Sequence, residues 1–154
     1  MPSSWLKVPH FRQELEYSCI PACVRMVLAH YGAIRTEADL RLLLDTKPTG
    51  TRAGNLMRLS GPDFEVHLRS SNLVELQQVL ADNQPAIVLK TGSLQYWSID
   101  IFHTAVLTGI DTETAALHDP YYATGPQTTS LQTFKKAWAH TGQFTAFLRP
   151  RQKP

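Results

Sequence analysis

The sequence predicts an α+β fold, with one central helix followed by a largely antiparallel sheet. Two observations predict it. Helical signals crowd the first part of the chain and strand signals the second, without the regular βαβ alternation of a doubly wound protein. Residues 21–31, PACVRMVLAHY, form a helical stretch that is apolar on most sides, with only Arg25 and His30 looking wet. Such a helix belongs in the middle of a domain.

Each element has a local reason. Residues 5–17 read as extended or loop-like, with Pro9 as a breaker. Pro21 suits the first helical position. Val24, Val27, Leu28 and Tyr31 share one face of the helix it opens, and Gly32 is a good C-terminal cap. Thr36 opens a capping box, with Asp39 in place of the usual Glu, and leads into the short helix ADLRLLLD. Pro48, Gly50 and Gly54 make a loop, and residues 52–60 are a weak helix ended by Gly61-Pro62. Residues 64–68 alternate as a strand. Asn72 caps a helix over 73–82. Residues 86–90, AIVLK, are a short and nearly continuous apolar strand. Residues 91–100 are a loop, and 103–110 are a strong strand. Asp111-Thr112-Glu113 turns the chain back into 115–118. Residues 120–127 are a loop with Tyr121 and Tyr122. Ser130 caps a last helix to about His140, Gly142 breaks it, and 143–148 are a final strand.

Composition removes several function classes. The chain has 154 residues, 43% of them apolar and 18% charged, with a net charge of +2. Three Trp, five Tyr and six Phe exclude a disordered tail. One domain over residues 1–154 is expected, with its core at about 8–148. No apolar run reaches membrane-spanning length, and MPSSWLKVPHFRQELEY lacks the apolar stretch of a secretory signal. There is no basic stripe beyond Lys135-Lys136 and the tail Arg149, Arg151, Lys153, so nucleic acid is not an expected partner. Neither GxGxxG nor GxxxxGK[ST] occurs. Two cysteines make no disulfide framework and fit a reducing, cytoplasmic location.

The informative segment is Gln13-x5-Cys19-Ile20-Pro21-Ala22-Cys23. Cys19 falls at or just before the start of the central helix, where unpaired N–H groups and the helix dipole favour a thiolate. Cys23 lies one turn deeper and reads as packing. Side chains four residues apart on a helix have nearly parallel Cβ vectors, which suits a disulfide poorly. A zinc site would need further ligands from His103, His118, His10 or His67, and no second close pair of ligands exists. No cofactor is expected.

A cysteine nucleophile wants a base, and the base wants an orienting group. His103 opens a strand whose next residues are plainly core, so it can face a cleft while the strand anchors it. If the turn centres on 112–113, paired residues sum to roughly 225, and His103 lies opposite residues 120 to 122, close to Asp119. Asp100 is the local rival as orienting group, and Asp111 lies at the far end of the hairpin. His118 alternates away from Asp119 and reads as non-catalytic. The Cys19 N–H and the neutral amide of Gln13 could supply the donors that acyl transfer needs. Trp97, Tyr96, Tyr121 and Tyr122 flank His103 and Asp119, either walling a groove or anchoring loops. Trp5 and Trp138 read as packing residues. Taken singly, each of these residues has an ordinary structural reading; the ordered set is what points to chemistry.

In Gln13, the run Cys19-Ile20-Pro21-Ala22-Cys23, Tyr31-Gly32, FHTAVLTGID at 102–111 and HDP at 118–120, the sequence resembles the peptidase C39-like branch of the papain-like cysteine peptidases, the bacteriocin-processing type. The resemblance implies a papain-like fold and a peptide or protein substrate. It implies Cys19 as nucleophile, His103 as base, Asp119 as its orienting residue and Gln13 in the oxyanion hole. Relatives fused to ABC transporters cut leaders after a Gly-Gly pair; this sequence carries no membrane span and no ATPase motif, so that substrate is not implied. Ile20 departs from the family's glycine, and a β-branched residue there is expected to crowd the nucleophile's surroundings. Deamidation or other acyl transfer on the same scaffold, and a binding domain with a vestigial site, remain alternatives. Oligomeric state is left open by the sequence.

Overall fold

The computed structural model describes residues 5–91 and 102–152. In chain order the elements are α1 (Cys19–His30), α2 (Glu37–Leu43), a 3-10 helix (Ala53–Leu59), β1 (Phe64–Ser70), α3 (Leu73–Ala81), β2 (Ala86–Thr91), β3 (Phe102–Ile110), β4 (Thr114–His118), β5 (Gln127–Ser130), α4 (Leu131–Ala139) and β6 (Phe144–Pro150). The strands form a six-stranded sheet in the order β1-β6-β2-β3-β4-β5. Every pairing in it is antiparallel.

The sheet is covered on both faces, which is why its middle strands are apolar almost throughout. Strand alternation sorts their side chains. Ile87 and Val106 join Val24, Val27, Leu40 and Leu148 in a core beneath α1 and α2. Val88, Ala105 and Leu107 turn the other way and join Leu76, Leu117, Phe134 and Trp138 beneath α3 and α4. Full burial of one such aliphatic side chain stabilises the fold by roughly 1.5–3 kcal/mol.

α1 begins at Cys19, two residues before the expected start, so Pro21 is the third helical residue. Its missing N–H still costs nothing there, because the first-turn amides have no intrahelical acceptor. At the other end Gly32 takes φ 86°. Gly32 N–H donates to Ala29 O and Ala33 N–H to Leu28 O, both at 2.9 Å, closing a Schellman cap. The remaining caps follow the sequence. Thr36 accepts from Asp39 N–H, Asn72 from Glu75 N–H and Ser130 from Thr133 N–H.

The β3–β4 hairpin carries the site. Asp111 Oδ1 accepts from Glu113 N–H at 2.9 Å and Thr114 N–H at 2.7 Å, fixing the turn. The pairs run Ile110↔Ala115, Gly109↔Ala116, then Leu107↔Leu117 and Val106↔His118, with a register shift between Leu107 and Gly109. β5, QTTS, lies inside and beyond a stretch read as loop. It is a short polar edge strand, which leaves little periodic signal.

Candidate active site

Cys19 heads α1. Ser18, its N-cap, makes no side-chain cap bond; its hydroxyl instead donates to Leu15 O and accepts from Leu15 N–H, both at 3.0 Å. The first-turn amides are thereby left to whatever lies before the helix. His103 is the second residue of β3 and Asp119 follows the last residue of β4. The hairpin register brings them together: His103 Nε2 donates to Asp119 Oδ1 at 2.6 Å. Tyr121 N–H donates to the same oxygen at 2.9 Å. His103 is 5% exposed and Asp119 fully buried. The Cys19 thiol hydrogen-bonds the His103 imidazole and Thr104.

These contacts set the charge states. Burial pushes the Cys19 thiol up, but its bond to His103, the charge of that ring and the bonds from Thr104 outweigh burial, and the thiol lies below the ordinary cysteine range. Burial pulls His103 down, while its bonds to Asp119 and Cys19 more than restore it, leaving it above the ordinary histidine range. Burial raises Asp119, and the His103 bond and ring charge, then Lys90, then Tyr121 N–H, hold it below the usual carboxylate range. Cys23 differs. It is fully buried, donates to Thr104 Oγ1 at 3.5 Å, and burial drives its thiol well above the ordinary value. The arrangement can therefore hold a thiolate–imidazolium pair at Cys19 and a neutral thiol at Cys23.

Gln13 sits in the segment before α1, pinned by its neighbours. Its N–H donates to Pro120 O at 2.7 Å. The next N–H, of Glu14, donates at 2.9 Å to Oε1 of Glu37, a buried α2 carboxylate also bound by Arg41. The Gln13 side-chain amide donates to Leu15 O at 2.8 Å and Glu16 O at 3.0 Å. Main-chain bonding thus ties Gln13 to the turn after Asp119, while both side-chain protons serve the loop itself.

Several other expectations have definite positions. His118 turns to the face opposite Asp119 and bonds Val8 O at 2.7 Å through Nε2. Ile20 is 6% exposed and belongs to the core with Val24 and Val27, so its β-branched side chain is spent on packing beneath α1 rather than on the surface beside Cys19. Tyr121 is half-exposed and meets Tyr122 edge-on at 5.2 Å. Trp138 is buried against Phe134, and the Trp5 indole covers Gly109. Asp100, Tyr96 and Trp97 lie outside the described residues. Among the described residues no group of three His, Cys, Asp or Glu side chains could hold a metal ion, and no helix is long and apolar enough to cross a membrane.

Two participants escaped the sequence reading. Thr104 sits between the two cysteines. Lys90, fully buried at the end of β2, brings Nζ within 3.7 Å of Asp119 Oδ2. The only signal for Lys90 was a charge closing the apolar run AIVL.

Known structures share this fold. A C39-like peptidase from Bacillus anthracis is similar over 96% of both chains, with a TM-score of 0.77 at 17% identity. The peptidase domain of Streptococcus ComA, a bifunctional ABC transporter of a quorum-sensing pathway, matches with a TM-score of 0.74 at 24% identity, over 92% of this chain and 98% of its own. A double-glycine-motif protease of an AMS/PCAT transporter, solved with its leader peptide, matches with a TM-score of 0.73 at 20% identity, over 96% and 94% of the two chains. No protein of curated function matches. Residues 7–151 match the peptidase C39 family, and the chain belongs to that family.

Proposed function

We propose that this protein is a thiol hydrolase that cleaves peptide amide bonds. Cys19 is the nucleophile, His103 the general base and then acid, and Asp119 the residue that orients the imidazole. Gln13 and the Cys19 backbone N–H are the oxyanion donors. The observation that carries this reading is the unbroken hydrogen-bonded row from the Cys19 thiol through His103 to Asp119.

The chemistry follows from which ring nitrogen is occupied. Nε2–H is spent on Asp119, so Nδ1 is left to take the Cys19 proton. The thiolate adds to the amide carbonyl carbon, and the oxygen gains negative charge beside the start of α1. Gln13 reaches this oxygen by exchanging its exposed bond to Glu16 O while keeping the one to Leu15 O. The imidazolium gives its proton to the leaving amine. His103 then deprotonates water, which hydrolyses the thioester and frees Cys19.

The test uses a mixed peptide pool with products read by mass spectrometry. The expected result is chain cleavage that Cys19→Ala abolishes and that His103→Ala reduces by about 10²–10⁴-fold. Conversion of side-chain amides without chain scission would move the chemistry to deamidation. No reaction at all, with Cys19 no faster than Cys23 toward iodoacetamide near neutral pH, would leave a binding domain with a silent site.

A further inference from the structure

A lysine with no exposed surface lies directly behind the His103–Asp119 couple, and the mechanism above gives it nothing to do. Lys90 pairs with His103 across the β2–β3 ladder, so the two side chains leave the sheet on the same face. Asp119 reaches that face from β4. One of its oxygens holds the imidazole, and the other lies 3.7 Å from Lys90 Nζ. The strand end that carries Lys90 is covered by the chain leaving α4, where the Thr141 hydroxyl donates to Leu89 O at 2.7 Å.

The charges can be counted along this row. In its reactive form the site holds a thiolate at Cys19, an imidazolium at His103 and a carboxylate at Asp119. Alone, they would leave one uncompensated negative charge in a buried place, which is costly. An ammonium at Lys90 makes the row alternate in sign and sum to zero. We propose that Lys90 is a positioning residue for the His103–Asp119 couple: its buried cation balances the thiolate–imidazolium–carboxylate row and holds Asp119 ionised with one oxygen kept on the imidazole. This rests on the reading of Cys19 and His103 as a reactive pair.

Among the described residues, the groups that titrate around Lys90 are few. From α1 come Cys19 and Cys23, from β3 its ladder partner His103, and from the turn after β4 Asp119; Tyr122, whose phenol is raised by burial and then by the Asp119 charge, lies on the far side of that carboxylate's couplings. On α4, Lys135 and Lys136 are exposed, as is His140 just after it. On α3, Glu75 is held by Arg69. Burial draws Lys90 itself downward, opposed chiefly by Asp119.

The sign of the effect follows. Removing the ammonium takes away a cation that favours the thiolate, so the acid limb of Cys19 reactivity moves up. It also leaves the Asp119 charge wholly to the imidazolium, so His103 holds its proton to higher pH and the alkaline limb moves up too. The experiment is the pH dependence of iodoacetamide alkylation of Cys19, in a Cys23→Ser background, for the unmodified Lys90 chain and for Lys90→Met and Lys90→Arg. Lys90→Met should move both limbs upward by about one pH unit, as expected for loss of a close opposite charge. Lys90→Arg should keep them near their original positions. A folded Lys90→Met protein with unmoved limbs overturns the inference. A single limb in the ordinary cysteine range already in the Lys90 chain, unaffected by His103→Ala, overturns the reactive-pair reading instead. If Lys90→Met does not fold, the Lys90 side-chain carbon resonance of the otherwise unaltered protein is followed against pH. An inflection coinciding with that of His103 supports the inference, and its absence overturns it.

Discussion

Thr104 serves both cysteines with one side chain. It accepts from Cys23 and hydrogen-bonds Cys19 through both its hydroxyl and its backbone. Thr104→Val keeps the shape and the backbone bond but removes the hydroxyl. The Cys19 thiol should then titrate at higher pH, slowing alkylation several-fold on the acid side of its profile, with a stability loss of about 1 kcal/mol from the orphaned bonds. Alkylation profiles and urea denaturation measure the two effects. That Cys19, His103 and Asp119 could meet was readable, because a helix start, a strand mouth and the return strand of one hairpin are elements that pack together. Thr104 and Lys90 were not, because a threonine in a strand and a lysine at a strand end are ordinary residues until the third dimension says what they touch. Ile20 went the other way: the sequence showed a bulky side chain beside Cys19 but not that α1 turns it into the core.

At the level of elements, the extended segment before α1 is fastened by histidines. His118 bonds Val8 O, and His10 Nε2 bonds Tyr122 O at 2.6 Å, with the rings edge-on at 5.0 Å. Both Nδ1 atoms are buried without a partner, and both face Gly125, where a Cβ would collide with them. Burial first, and then the nearby His10 charge, hold His118 below the ordinary histidine range. A depressed histidine contributes stability that is present above its unfolded value of about 6.5 and is lost as pH falls from there through the folded value. Hydrogen-exchange protection around Val8 should therefore fall as pH drops below about 6.5, and His118→Gln should flatten that dependence. An unchanged dependence in His118→Gln would reject the assignment. On the other side of the segment, Gly109→Ala should displace Trp5 and cost about 1–3 kcal/mol in urea denaturation. Caps, breakers and apolar periodicity located these elements well from sequence. β5 was missed because QTTS offers neither apolar alternation nor a β-branched majority facing a core, only a partner strand.

The whole molecule depends on the site for part of its pH response. Asp119 is depressed, so its contribution is present above about 3.9 and lost as pH falls through its lower folded value. His103 is raised, so its contribution is fully present below about 6.5 and lost as pH rises through its higher folded value. Together they favour the folded state most between those limits. Denaturation midpoints across pH should show an alkaline decline whose onset, nearest the histidine range, His103→Ala removes, while the later decline from the buried Cys23 thiol stays. The two-sided sheet explains why the fold class was so legible: continuous apolar strands demand two covered faces, a nearly all-apolar helix demands burial on most sides, and a layered arrangement supplies both. What composition and period could not give was which end of the sheet gathers the polar residues.

The register shift near Thr108 decides that chemistry. Beyond it, paired residues sum to 224, as in Val106↔His118, whereas nearer the turn they sum to 225, as in Ile110↔Ala115. Were the hairpin to keep its first phase, the returning strand would be rotated by half a pleat. His118 would then look toward His103, and the Asp119 carboxylate would look away from it. One extra residue in a strand thus selects which of two adjacent side chains in HDP becomes the neighbour of His103.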